Sequence, residues 1–413
     1  MFKAALTFLL FNSIILTSYS QSIDVCKACD VKTLTDAIAK SKPHNKIIIH
    51  KGTYYESDIT IDKPLHIIGK NNPIIDGENK SYILIVKSDS VTVSGLTIKN
   101  PGQSYTKDYA AVLISQSNNF KFENNSLENV FFGYLLEKSH QGIITANKVS
   151  SNAVNQSSSG NGIHLWNCSN ITISDNEVFN LRDGIYLEFV KESKILNNQS
   201  YNNMRYGLHF MFSNNNEYHN NTFKNNGAGV AVMFSKFIKM TGNTFTENWG
   251  TASYGLLLKE IYDAEIENNT FKENTIGINV EGSTRINYTK NNFISNGWSV
   301  KIAGACYTNN FKQNNFLNNS FDISYNSKMH DNKFNNNYWS SYTGYDLDKN
   351  GIGDVPYRPV KLFSYIVNKT PETIVLLRSL FVDIINFSEK VSPVFTPDEL
   401  EDINPLMSPV LND

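Results

Sequence analysis

His209, Met211 and Met233 are the residues whose types and spacing best suit metal chemistry. An imidazole and two thioethers are soft donors, and a site built from them favours Cu(I) over Mg²⁺ or Ca²⁺, which require oxygen. Glu188 is an additional candidate donor, and Met204, Met240 and Met407 are the remaining methionines of interest. Asp346-Leu-Asp-Lys-Asn-Gly-Ile-Gly-Asp354 suggests a second chemistry. Asp346, Asp348, Asn350 and Asp354 supply oxygen at the first, third, fifth and ninth positions, with glycine at the sixth, as a calcium loop requires. Tyr357 stands where the bidentate glutamate belongs, so the loop is either an incomplete calcium site or a cluster of Asx turns. Cys26 and Cys29 form a C-x-x-C, expected as a disulfide in an oxidising compartment and otherwise as a metal or redox site. Cys168 and Cys306 lie far apart, and no bond between them is expected.

A repeat must position these groups. Gly162, Gly184, Gly207, Gly229, Gly255 and Gly277 each open a short apolar segment, at offsets of 22, 23, 22, 26 and 22 residues. Within each segment apolar residues alternate, as Ile163 and Leu165 do against His164 and Trp166, and period two means strand. Fourteen residues into each repeat sits an asparagine, giving Asn125, Asn147, Asn176, Asn198, Asn221, Asn243, Asn269 and Asn291. Asparagine tolerates left-handed backbone, and its amide can bond to its equivalent one turn away. The pattern predicts an all-β, right-handed parallel β-helix with an asparagine ladder at one corner and coils stacked at about 4.8 Å.

That stacking turns sequence columns into vertical files. The second outward position reads His164, Tyr186, His209, Ala231, Leu257, Asn279; the fourth reads Trp166, Glu188, Met211, Met233, Lys259, Glu281. Met211 and Met233 are then one rung apart, with His209 beside Met211 on the same outward face. His164 with Trp166 reads as surface contact. Methionine is also a common packing residue, so the competing expectation is a patch that binds no metal.

Both ends of a solenoid need closing. Thr33–Lys42 has helical spacing in Leu34, Ala37 and Ile38, suiting an N-terminal cap with Thr33 or Thr35 as N-cap. Thr370 as N-cap and Pro371 at the first helical position mark a C-terminal helix through the apolar run 373–387. Arg378 and Asp383 interrupt that run, so the helix is expected to cap the solenoid or to dock on a membrane partner. Asp398–Met407 reads as an extended contact segment. Residues 1–20, with Lys3 before an apolar run from Ala4 to Leu16, read as a secretory signal peptide. The chain thus divides into a leader (1–20), a β-helix (21–360) and a C-terminal helix and tail (361–413). A net charge of -2 offers nucleic acid no electrostatic footing.

Tyr206-Gly-Leu-His-Phe-Met-Phe-Ser213, Gly227-Ala-Gly-Val-Ala-Val-Met-Phe-Ser235 and Trp249-Gly-Thr-Ala-Ser-Tyr-Gly-Leu-Leu-Leu-Lys-Glu-Ile261 resemble central coils of the NosD family, as does Glu281-Gly-Ser. Asn337-Tyr-Trp-Ser-Ser-Tyr-Thr-Gly-Tyr-Asp-Leu-Asp-Lys-Asn-Gly-Ile-Gly-Asp-Val-Pro-Tyr-Arg-Pro359 is similar to that family's signature near its C-terminal end. The resemblance implies a periplasmic, non-enzymatic accessory protein. Such a protein assists copper-site assembly in nitrous oxide reductase, with an ABC transporter membrane subunit and a copper donor protein as partners and peripheral membrane association through them. Two alternatives stand beside it. One is a metal-free docking scaffold. The other is a carbohydrate-active β-helix, a polysaccharide lyase or glycoside hydrolase, although hydrolysis needs two carboxyls about 5–9.5 Å apart. Glu188 and Glu281 are four rungs apart on one file, roughly 19 Å.

Overall fold

A computed structural model describes residues 22–104, 106–326, 331–392, 396–397 and 400–411. The leader expected at 1–20, and Asp398 and Glu399 of the tail, lie outside the described residues. The chain winds as a parallel β-helix, with one strand per turn in each of three sheets of fourteen, twelve and thirteen strands. Most strands of the twelve-stranded sheet are long, six residues in Asn161–Trp166, Asp183–Glu188, Tyr206–Met211 and Ala228–Met233. Alternation does what period two requires: Ile163, Leu165, Ile185, Leu187, Leu208 and Phe210 all point into the core and are fully buried.

Identical side chains stack rung on rung. Phe223, Phe245, Phe271, Phe293, Phe316 and Trp339 form one continuous aromatic file through the core, with ring centroids 4.0 to 5.4 Å apart. The expected asparagine ladder is present and buried. Asn198 Nδ2 donates to Asn221 Oδ1 at 3.0 Å, and Asn221 Nδ2 donates to Asn243 Oδ1 at 2.9 Å. The backbone N–H of each rung shares the same acceptor oxygen. One detail differs from expectation: the left-handed residue is the one before the ladder asparagine, as at Asn197 (φ 54°) and Asn220 (φ 55°). The left-handed residue makes the turn while its neighbour points inward to bond. A second ladder, Asn203, Asn226, Asn248, Asn274 and Asn296, runs parallel to the first. The repeat-opening glycines answer a steric limit, since a Cβ on Gly162 or Gly184 would sit 2.6 Å from the carbonyl oxygen of the next glycine in the file.

At the N-terminal end, α1 (Leu34–Lys40) covers the first coil, burying Leu34, Ala37 and Ile38, and Thr33 accepts from the Asp36 N–H as its cap. Cys26 and Cys29 are joined in a disulfide. Cys168 and Cys306 are free and buried, and burial pushes the Cys168 thiol up to about 11, so it stays protonated.

The C-terminal end departs from the sequence expectation. Helix α2 (Leu362–Lys369) precedes the anticipated start, Thr370 makes no side-chain cap, and Pro371–Leu376 is 3-10 before α3 (Leu380–Val391). Phe363 of α2 and Val382 of α3 pack with Trp298 and Phe321 of the solenoid. The segment around Asp402 closes the end: its carboxylate accepts from Asn337 Nδ2 and Trp339 Nε1, both at 3.0 Å, terminating the asparagine ladder. No helix among the described residues is long and apolar enough to cross a membrane.

Asp322 lies under this end, near the Ser341 hydroxyl (3.1 Å) and Tyr357. Burial outweighs these partners and raises its pKa from 3.8 to about 6. Below pH 4 both folded and unfolded states hold the proton and the group is neutral to stability. Between pH 4 and 6 the unfolded state binds fewer protons, so stability falls as pH rises, and above 6 the full penalty applies. Asp322→Asn should therefore stabilise the fold at pH 7.5 by about 1–3 kcal/mol and have little effect at pH 4, as read by chemical denaturation at both pH values.

Candidate functional site

The pairing register places the outward files as the repeat predicts. Tyr186, His209 and Ala231 align on successive strands, as do Glu188, Met211, Met233, Lys259 and Glu281. His209 and Met211 thus share the outer face of one strand, with Met233 one rung above Met211. Met240 is buried in the core, while Met407 lies by Gly351 near the calcium-like loop. Neither joins the set. Glu188 occupies the rung below Met211, where it remains an oxygen neighbour.

His209 is not open to solvent as an outward residue was expected to be. Only 6% of it is exposed, because its ring is packed between Tyr186 and Tyr206, each 4.8 Å away between centroids. Neither ring nitrogen has a hydrogen-bond partner. Leaving a buried polar atom unpaired costs about 1–3 kcal/mol, so this imidazole is held at a loss to the metal-free fold. Nδ1 lies 3.8 Å from Asp183 Oδ2, beyond hydrogen-bond length.

Asp183 is fully buried and forms a two-pronged pair with Arg205, whose Nε donates to Oδ1 at 2.7 Å while Nη2 donates to Oδ2. Burial opposes ionisation of Asp183, but the Arg205 bonds, with a smaller contribution from His209, prevail and its pKa lies below the ordinary value. Tyr186 donates its O–H to Met211 Sδ at 3.6 Å. Burial, with Glu188 and Asp183 nearby, pushes the Tyr186 phenol up to about 12, so it remains a donor at neutral pH.

His164 also differs from the surface contact expected of it. Its ring packs against Tyr186 (4.7 Å) and Phe132 (5.8 Å), and burial, then Arg182, drives its pKa down to about 4. It is a neutral member of a ring file, Phe132, His164, Tyr186 and His209, two rungs from His209. Trp166 stays at the surface beneath Lys138, whose Nζ is 5.3 Å from the ring centroid.

Two insertions lengthen the coils on either side of this region. The first, near 151–160, reaches the Met204 carbonyl through Gln156. The second, near 249–254, brings in Tyr254, which interacts with Tyr206 and Arg205. A further feature escaped the sequence reading. Phe189, Phe212 and Phe234 directly follow Glu188, Met211 and Met233, in left-handed backbone at φ 54°, 49° and 52°. Their rings stack at 5.3 and 5.1 Å, a partly exposed aromatic rim beside the methionines. The signal was legible, since most equivalent positions carry the polar or glycine residues Asn167, Glu260 and Gly282.

The calcium expectation finds no support in the loop's own geometry. Asp346 accepts from the N–H groups of Asn350 and Gly351, Asn350 accepts from Ile352, and Asp354 accepts from Leu347. These are Asx-type turns, which hold the loop without a cation. Among the described residues no three His, Cys, Asp or Glu side chains converge on a metal position. The candidate donors for a soft ion are one histidine and two thioethers, and the orphaned, buried His209 nitrogens fit that use.

A family described as periplasmic copper-binding protein (NosD) matches residues 147–344, the coils that carry His209, Met211 and Met233. The chain is 26% identical to a Probable ABC transporter binding protein NosD of Pseudomonas aeruginosa, over 86% of each chain. These matches support membership of the NosD family. A NosD of Stutzerimonas stutzeri with the same name is 26% identical over 132 residues, covering 32% of this chain and 30% of that one. Among solved structures, the A-module of a mannuronan C-5 epimerase of Azotobacter vinelandii superposes with a TM-score of 0.61 at 12% identity, over 72% of this chain and 92% of that one. A DFA-IIIase of Arthrobacter chlorophenolicus superposes with a TM-score of 0.59 at 13% identity, over 76% and 99%. These two likenesses concern the β-helix alone.

Buried ring nitrogens without hydrogen-bond partners should cost the fold stability. His209→Leu is expected to raise the melting temperature of the metal-free protein by a few degrees, read by calorimetry in the presence of a Cu(I) chelator. A fall of several degrees would show that the packing of the ring and its approach to Asp183 outweigh that cost.

Proposed function

We propose that this NosD-family protein receives and passes on Cu(I) in the periplasm for the copper site of nitrous oxide reductase, working with an ABC transporter and a copper donor protein. Copper is cargo here, held by His209 Nε2 or Nδ1 and the Met211 and Met233 sulfurs, with Glu188 alongside. The observation that carries this reading is the register: two thioethers on adjacent rungs of one file, beside a buried imidazole with no partner of its own. Thioether and imidazole select a soft monovalent ion and bind it loosely enough for transfer. The description of the matched family as copper-binding supports the same ion.

Docking to a transporter is assigned to α3. Val382 anchors this helix, whereas Leu380 and Phe387 are 74% and 67% exposed, and Phe381, Ile384 and Val391 are open as well. An apolar helix face left in water marks a contact surface. The relatives' printed name, ABC transporter binding protein, supports a transporter as the occupant.

A carbohydrate-acting role has less support. Asp183, the buried carboxylate of this face, is tied to Arg205 with its pKa lowered, so it holds no proton to donate near neutral pH.

Competition titration of the purified protein with a Cu(I) chelator should show one equivalent bound, weakened tenfold or more by each of His209→Ala, Met211→Ala and Met233→Ala. Three variants that match wild type would remove the metal site. Phe381→Ser with Phe387→Ser should leave thermal stability within about 1 kcal/mol of wild type, since both side chains are exposed, yet abolish co-purification with the co-expressed transporter.

A further inference from the structure

The donors alone do not explain why the surrounding groups are arranged as they are. Asp183 is fully buried, and Arg205 clamps it from one side while His209 faces it from the other. As a carboxylate it can only accept a hydrogen bond. The His209 nitrogen nearest to it is Nδ1, 3.8 Å from Oδ2, close enough that a small turn of the ring closes the bond. A proton held on Nδ1 leaves Nε2 with the free lone pair. Tyr186 acts on both remaining parts of the site. Its ring packs on His209 at 4.8 Å, and its O–H donates to Met211 Sδ at 3.6 Å, occupying one sulfur lone pair and leaving the other.

We propose that Asp183 and Tyr186 are positioning residues of the copper site: Asp183, held by Arg205, sets the tautomer of His209 so that Nε2 is the metal-binding atom, and Tyr186 orients the Met211 thioether. This rests on the copper reading above and adds to it which atoms bind and what aims them. The arrangement explains a costly feature, since burying a carboxylate opposite an imidazole gains little for the fold unless the imidazole must face one way. It also explains why Tyr186, rather than an aliphatic residue, occupies the rung below His209.

The test begins with the protein as it is. Two-bond ¹H–¹⁵N correlation spectra of histidine-labelled, metal-free protein should show His209 as a single tautomer protonated at Nδ1. Addition of Cu(I) should shift the Nε2 resonance selectively. Tyr186→Phe, which removes one oxygen, should weaken Cu(I) binding about threefold to tenfold without unfolding the protein. Asp183→Asn should weaken it about tenfold or more and give a mixture of tautomers. An Nε2–H tautomer in wild type, or wild-type affinity in folded Tyr186→Phe and Asp183→Asn, overturns the positioning claim. If Asp183→Asn does not fold, the wild-type tautomer and Tyr186→Phe still decide. His209→Ala separates the two readings: wild-type affinity there sinks the copper site itself, whereas loss of affinity there with an Nε2–H tautomer sinks only the positioning.

Discussion

Each coil of this solenoid bonds to the next only if its backbone arrives in register, and files of buried asparagine set that register. An amide inside the core has one oxygen and two N–H groups to satisfy, and in a parallel stack its equivalent one rung away offers matching partners. Slippage of one coil would strand several buried amide groups at once. The ladder therefore tolerates no variation in its own rungs while allowing length to vary elsewhere. Asn147 bonds to Asn176 across 29 residues and Asn243 to Asn269 across 26, with the same contacts as rungs 22 apart. Extra residues are expelled as loops at the corner leading into the long-strand sheet.

The candidate site follows from this constraint. With the interior files fixed, the outward positions of consecutive strands are carried into fixed files as well, and Met211 and Met233 meet without any loop to bring them together. The loops contribute differently. Tyr254 of the second loop interacts with Tyr206, whose ring, with that of Tyr186, encloses His209. A soft metal site would gain from such enclosure, because the ion would compete with little water for the imidazole.

Fold and site were unequally legible in the sequence. Period two, the glycine spacing and the asparagine column sufficed for the parallel β-helix, because each is a local signal repeated many times. The columns likewise gave His209, Met211 and Met233 their neighbours. Burial of His209 and His164 was not legible, since it depends on Tyr186, Tyr206 and inserted segments whose paths the repeat does not govern. The Asp183–Arg205 pair was legible only in part: the two lie 22 residues apart, one coil of the repeat, but the register sets Asp183 opposite Tyr206, so the contact depends on the neighbouring Arg205 side chain reaching it. At the C-terminal end a proline after a threonine suggested one helix start, whereas α2, packed by tertiary contact on Phe321, carried no cap signal at all.

The central claim is that rung register assembles two sulfurs and one nitrogen on the outside of the long-strand sheet. X-ray absorption at the copper edge of the Cu(I)-loaded protein tests it most directly. The account predicts a three-coordinate Cu(I) spectrum fitted by two sulfur scatterers and one imidazole, with one sulfur lost when either Met211 or Met233 is replaced. A first shell of nitrogen and oxygen alone, unchanged by those replacements, would contradict it.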